Sequence, residues 1–411
     1  MTSPPSASIS APAIRGHSRD IPVNLRSICA NLRSKWEMVT LSENEDHRRF
    51  ASLPQITADF LCGGMTVLSC FFLATSSAAD PAPDPAAVPG YPPEIRVIHY
   101  PVAEDGSEQP SLFWTPEYPE GKRAPLLVAL HTWSGDYLQA GGEAKYAEWC
   151  LQNGWIFLHP NFRGPNRTPH ALGSDLMVAD IRAAVEWAKA NAPVDDSRIY
   201  AIGVSGGGHA TQMLAGRTPE IWAGISSWCG ITDIATWHTE TTAAGRMNYA
   251  GHIEGAIGGP PDANDTTQAE AAHRSPLTWL ENASGVPLDL NHGIDDGRTG
   301  SVPFSHSLRA FNAVVPESAR LPAADIAAWY ADPAALPRDP DLKDPLYGTN
   351  PPLFRKTHGN TRVTIFQGGH EILHEAALNW LAAQRKGRPA DWNPPKTASL
   401  KASATDRESG K

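Results

Sequence analysis

The chain has 411 residues, 41% of them hydrophobic and 19% charged, with a formal net charge of −10. This is globular composition, long enough for more than one domain. Its acidic balance, without any long basic run, argues against a nucleic-acid partner, whose phosphates call for clustered Lys and Arg.

Residues 1–52 are polar, Ser/Arg-rich and without an apolar period. Residues 58–73, ADFLCGGMTVLSCFFL, are mostly apolar, with Arg48 and Arg49 upstream and the small residues Ser77-Ala78-Ala79 downstream. The pattern predicts an N-terminal extension and signal peptide over 1–79. It therefore predicts a secreted or periplasmic protein with no stable membrane span after processing. A membrane anchor is the alternative, but the run is short for a spanning helix. Residues 80–93 read as a Pro/Ala linker, 94–385 as the folded domain and 386–411 as a polar, flexible tail. The five cysteines, Cys29, Cys62, Cys70, Cys150 and Cys229, include no C-x-x-C pair. That argues against a cysteine zinc site. Cys150 and Cys229 could form one disulfide or remain two buried thiols.

Strands and helices alternate through the folded part. Residues 96–100 and 111–114 read as two opening antiparallel strands. Residues 125–130 (PLLVAL) are a continuous apolar run, as in a strand buried on both faces. A helix over 142–152 leads to a strand at 155–159. The apolar stripe Leu176, Ala179, Ile181, Ala184, Val185 and Ala188 predicts a helix over 175–190. Then follow a strand (198–204), a helix (206–215), strands at 222–228 and 286–291, a helix (303–314), a strand (362–367) and a helix (371–384). This order predicts an α/β fold with a mostly parallel sheet covered by helices, whose ligands bind beyond the carboxyl ends of the strands. Two segments, 232–285 and 316–359, break the alternation and are expected to cap the site.

The residues able to do chemistry fall at strand ends. Gly203-Val204-Ser205-Gly206-Gly207 is a G-x-S-x-G turn between a strand and a helix. That context exposes the Ser205 hydroxyl and aims the Gly206 N–H at a developing oxyanion. A serine hydroxyl needs a base. Downstream, one strand ends in His292-Gly293-Ile294-Asp295-Asp296 and another in Gly368-Gly369-His370-Glu371. His370 is expected to be the base, with Asp296 or its neighbour Asp295 orienting it. A second oxyanion donor is expected from the loop 131–135, as the backbone N–H of Trp133. His370-Glu371-Ile372-Leu373-His374 also matches H-E-x-x-H. The zinc reading needs both histidines on one helical face and a third ligand, and it leaves the serine turn unexplained. No metal and no cofactor are therefore expected. His209 reads as a packing residue. Arg163 and Trp228 are candidate substrate contacts, with an ion pair and core packing as their respective alternatives. Trp237 is a further aromatic candidate.

These pieces resemble the prolyl-oligopeptidase-type branch of the α/β-hydrolases and its acetyl-xylan-esterase-like relatives. The matching segments are NFRG (161–164), GVSGGGH (203–209), RSPL (274–277), HGIDD (292–296) and GGHE (368–371). The resemblance implies the α/β-hydrolase fold. It favours Asp296 over Asp295, because the acid of that branch stands three residues after the glycine of H-G-x-x-D. It also supports Trp133 as an oxyanion donor. True prolyl oligopeptidases carry a large β-propeller, for which this chain has no room, and the stretch from Asp296 to His370 is longer than usual. The expected activity is therefore carboxylic-ester hydrolysis through an acyl-enzyme, on small-molecule or carbohydrate-linked acyl esters or aromatic esters. The alternatives are a propeller-less serine peptidase and an inactive scaffold on the same fold. The oligomeric state is left open.

Overall fold

The computed structural model describes residues 87–393. The predicted signal segment, the first half of the linker (80–86) and residues 394–411 lie outside that range. No helix among the described residues is long and apolar enough to cross a membrane.

The run APLLVAL forms β3 (Ala124–Leu130), all seven residues buried. Its alternation feeds two cores at once. Leu126, Val128 and Leu130 pack into one, and Leu127 and Ala129 into the other. A strand covered on both faces must be apolar on both, which is why the sequence shows a block rather than an alternation. Around it runs a nine-stranded sheet in the order β1-β2-β4-β3-β5-β6-β7-β9-β8. β1 (Arg96–Pro101), β2 (Glu108–Trp114) and β4 (Ile156–Pro160) pair antiparallel in turn. From β4 through β3, β5 (Val194–Val204), β6 (Gly224–Trp228), β7 (Leu288–Gly293) and β9 (Thr361–Phe366), every pairing is parallel. The helices between them lie on both faces. α2 (Asp175–Asn191), α3 (Gly206–Arg217) and α7 (Ser305–Val314) bury their apolar residues in one core. α1 (Gly142–Asn153) and α9 (His374–Ala383) bury theirs in the other. The stripe read in α2 faces inward, and Ser174 caps it by accepting from Met177 N at 3.1 Å.

The predicted elements appear with ends shifted by a few residues, except that α9 begins at His374, so His370 lies in the loop before it. Of the two irregular segments expected to cap the site, only the first does so. Residues 232–285 contain α4 (Ile234–Ala243), α5 (Met247–Ile257) and α6 (Asp265–His273), which do cover the strand ends. Residues 316–359 instead supply α8 (Ala323–Ala331) and the edge strand β8 (Pro352–His358), antiparallel to β9. Cys150 and Cys229 are free and buried.

Between β7 and β9 the register places Asp289 opposite Arg362. Arg362 clamps the carboxylate, with Nε to Oδ1 at 2.8 Å and Nη2 to Oδ2 at 3.1 Å, and both side chains are almost fully buried. Removing one partner strands a charge in the core. Asp289→Ala should therefore lower stability by about 3–5 kcal/mol in urea unfolding. A change below about 1 kcal/mol would show that the pair is solvated.

Candidate active site

β5 delivers Ser205 at its carboxyl end, and α3 begins at the next residue. Ser205 sits at φ 60°, ψ −119°, a conformation that costs a non-glycine residue on the order of 1–3 kcal/mol. Its N–H donates to the Trp228 carbonyl at 2.9 Å, and its own carbonyl accepts from His209 N at 2.9 Å. The turn is held between neighbouring strand ends. A Cβ added to Gly206 would lie 2.4 Å from Trp133 N and 2.5 Å from Trp133 Cα, and one added to Gly203 would lie 2.5 Å from Gly207 C. Glycine is thus required by close backbone approach. The same contact brings the backbone amides of Gly206 and Trp133 together at the amino end of α3, where the helix dipole favours negative charge.

Trp133 is fixed on three sides. Its carbonyl accepts from Asn166 N at 2.9 Å, its indole N–H donates to His252 Nδ1 at 3.2 Å, and its ring meets Trp237 edge-on at 4.6 Å. His252 and Tyr249 belong to α5, so the capping helices pack directly on the loop that presents the amide.

β7 and β9 deliver the other two groups. The fully buried Asp296 carboxylate holds His370 Nδ1 at 2.6 Å and His292 Nε2 at 3.0 Å, both on Oδ2. Its Oδ1 accepts from Gly297 N at 2.8 Å and Val302 N at 3.1 Å. Burial alone would raise its pKa, but the hydrogen bonds and charges of His292 and His370 outweigh burial and hold it below the ordinary carboxylate range. An ionised carboxylate only accepts, so His370 Nδ1 carries the proton and Nε2 is left free to take one. His292 Nε2 also meets the Val302 carbonyl at 3.0 Å, which makes it a donor too, while its Nδ1 faces Ser307 Oγ at 2.8 Å.

Ser205, Trp133 and His370 line one cavity of about 600 Å³, together with Tyr249, Ser301, Glu143 and Glu371. Another cavity, of about 660 Å³ between Leu277, Arg309 and Ile326, contains none of these groups.

Other sequence candidates lie elsewhere. Trp228 is fully buried, its indole donating to Ser226 Oγ at 2.8 Å and its ring packing near Phe366 and Tyr347, so it cannot touch substrate. Arg163 is consumed by ion pairs to Asp180 at 2.7 Å and Asp105 at 2.8 Å and is not a substrate contact either. Trp237 is buried, donating to the Ser301 carbonyl at 2.9 Å. His209 packs internally against the Arg274 carbonyl at 2.8 Å, and burial drives its pKa down to about 4. Asp295 accepts from Gln367 Nε2 at 3.1 Å. His374 bonds the Gly142 carbonyl at 2.9 Å, so H-E-x-x-H does not form one helical face. The sequence reading missed the bond from His292 to Asp296. Its only signal was a histidine four residues before the acid.

The prolyl oligopeptidase family model matches residues 145–323, a span that includes Ser205 and Asp296 and stops before His370. Feruloyl esterase B of Thermothelomyces thermophilus is 28% identical over 116 residues, 26% of this chain and 39% of that protein. Dipeptidyl aminopeptidase BIII of Pseudoxanthomonas mexicana is 25% identical over 206 residues, 46% of this chain and 28% of that protein. Among solved structures, a puromycin hydrolase superposes with a TM-score of 0.50 at 18% identity, over 74% of this chain and 40% of that one. The chain therefore spans about two fifths or less of the proteins it matches here. The fold is that of the α/β-hydrolases, and residues 145–323 are similar to the prolyl oligopeptidase family.

The two neighbouring acids separate the site's roles. Asp296→Asn replaces an acceptor with an amide that can donate to the ring, and should lower kcat by about 10⁴-fold. Asp295→Asn should leave kcat close to wild type. The opposite ranking would move the orienting acid to Asp295.

Proposed function

We propose that the protein is a carboxylic-ester hydrolase that works through an acyl-enzyme on Ser205, with His370 as base, Asp296 as the group that orients it, and the amides of Gly206 and Trp133 as the oxyanion hole. The observation that carries this reading is the 2.6 Å bond from His370 Nδ1 to Asp296, with His370 on the wall of the cavity that also holds Ser205. His370 Nε2 takes the Ser205 proton as Oγ attacks the ester carbonyl, and the two amides receive the negative oxygen. The proton then passes to the departing alcohol. Water attacks the acyl group in the same way and releases Ser205.

The named feruloyl esterase relative supports an ester substrate, and a cavity of about 600 Å³ is large enough for an aromatic or sugar-linked acyl group. The apolar run 58–73 and the small residues after it support action outside the cytoplasm. A second reading, peptide hydrolysis, has its own observation. Glu143 and Glu371 line the cavity, and such groups could bind an amino terminus. Burial pushes the Glu143 carboxyl up to about 7, against hydrogen bonds that include one from the Gln139 side chain, so near neutral pH it exists partly as the acid.

Hydrolysis of p-nitrophenyl acetate and acetylated xylan, compared with proline- and alanine-p-nitroanilides, separates the readings. Ester turnover that disappears in Ser205→Ala, without anilide turnover, is the expected result. Anilide turnover exceeding ester turnover would replace the esterase with a peptidase.

A further inference from the structure

Cys229 has no part in the reaction just described, yet it follows β6 directly beside the reacting groups. Its backbone is at φ 47°, where side chains are uncommon, and its N–H donates to the Asn291 carbonyl at 2.8 Å. This conformation tucks the thiol under the loop that carries His370. Sγ lies 3.8 Å from the Gly369 carbonyl oxygen and 3.5 Å from that of Glu371. Sγ, a carboxylate oxygen of Asp296 and a ring nitrogen of His370 all lie within 4.8 Å of one another.

A thiol sulfur, an imidazole nitrogen and a carboxylate oxygen form a donor set for Zn²⁺ and softer cations. Mg²⁺ and Ca²⁺ prefer oxygen throughout. Metal–ligand lengths of roughly 2.0–2.3 Å set ligand atoms about 3.3–3.8 Å apart in such a site. The group meets this if the thiol moves inward slightly and the 2.6 Å pair of His370 and Asp296 opens.

We propose that Cys229, Asp296 and His370 form an inhibitory site for a thiophilic divalent cation such as Zn²⁺ or Cd²⁺. This rests on the reading of His370 and Asp296 given above. Binding releases the Sγ–H proton to solvent, and the Nδ1–H proton moves by way of solvent to Nε2 as the ring changes tautomer. Metal–sulfur and metal–nitrogen bonds replace them, Asp296 exchanges its N–H donor for the cation, and nothing is oxidised or reduced. With the cation on Nδ1 the ring proton sits on Nε2, which therefore cannot accept the Ser205 proton. Cys229 and Asp296 are fully buried and absent from the lining of the reaction cavity. The cation therefore leaves ester binding intact and stops the chemical step.

The test titrates CdCl₂ into the full chain and into Cys229→Ala, Cys229→Ser and Cys150→Ala. Readouts are p-nitrophenyl acetate kinetics, each relative to the same variant without metal, and the ultraviolet band of a cadmium–thiolate bond. The wild type and Cys150→Ala should lose kcat at constant KM, recover with a chelator and show the band. Both Cys229 variants should lose the band. Cys229→Ala should need at least about 10–100-fold more Cd²⁺, since losing a ligand costs no less than losing a residue behind one. Equal sensitivity of wild type and Cys229→Ala, or inhibition that only raises KM, would overturn the site. Failure of the underlying reading looks different. Metal-free wild type would then neither turn over the ester nor react with a fluorophosphonate at Ser205, while the band and its loss in Cys229→Ala would still report the metal site.

Discussion

A carboxylate taken out of water has to be repaid with hydrogen bonds or it takes up a proton. Asp296 is fully buried and receives four contacts: two imidazoles on one oxygen and two backbone amides on the other. The amides come from Gly297 and Val302, so the turn after β7 has to fold back over its own acid. A Cβ on Gly300 would come within 2.2 Å of Asp296 Oδ1 and 2.6 Å of His370 Cβ, which shows how tightly that turn closes. With the acid kept charged, the tautomer of His370 follows, and with it the direction in which a proton can move.

The sheet explains how three residues so distant in sequence meet. β5, β7 and β9 run parallel, with β6 between β5 and β7, so their carboxyl ends open on the same edge. Ser205 leaves β5 in a strained turn, and the β6 end braces it through the Trp228 carbonyl. The cap contributes indirectly. α5 grips the indole of Trp133, and the loop amide beside Gly206 is held in place by packing remote from the reacting atoms.

Much of this was legible in the sequence, because the signals were local. The continuous apolar runs marked the buried parallel strands, and the glycines around Ser205 marked a turn that only close backbone contact demands. The failures were of two kinds. Trp228 was read as a possible cleft residue because it ends a strand, but a strand covered on both faces has no outward side, and its indole fell into the core. Arg163 finds Asp105 and Asp180 through tertiary contact, which no local pattern encodes. β8 escaped because a half-exposed edge strand starting at Pro352 lacks an apolar block. The helices of the cap escaped for want of a clear stripe, although the Asn264–Thr267 capping box at α6 was present to be read. The bond from His292 to Asp296 depends on the fold of the 296–302 turn and is visible only in three dimensions.

The proposed reaction requires Ser205 to carry the acyl group between its two half-reactions. Acid-quenching the enzyme during turnover of p-nitrophenyl acetate, then mapping the peptides by mass, tests it directly. One acetyl group, on Ser205, should accumulate in the wild type and be absent from Ser205→Ala. Turnover with no acyl mass on Ser205 in a peptide that is otherwise recovered, or an acyl group on another residue that is lost at the rate of turnover, would contradict it.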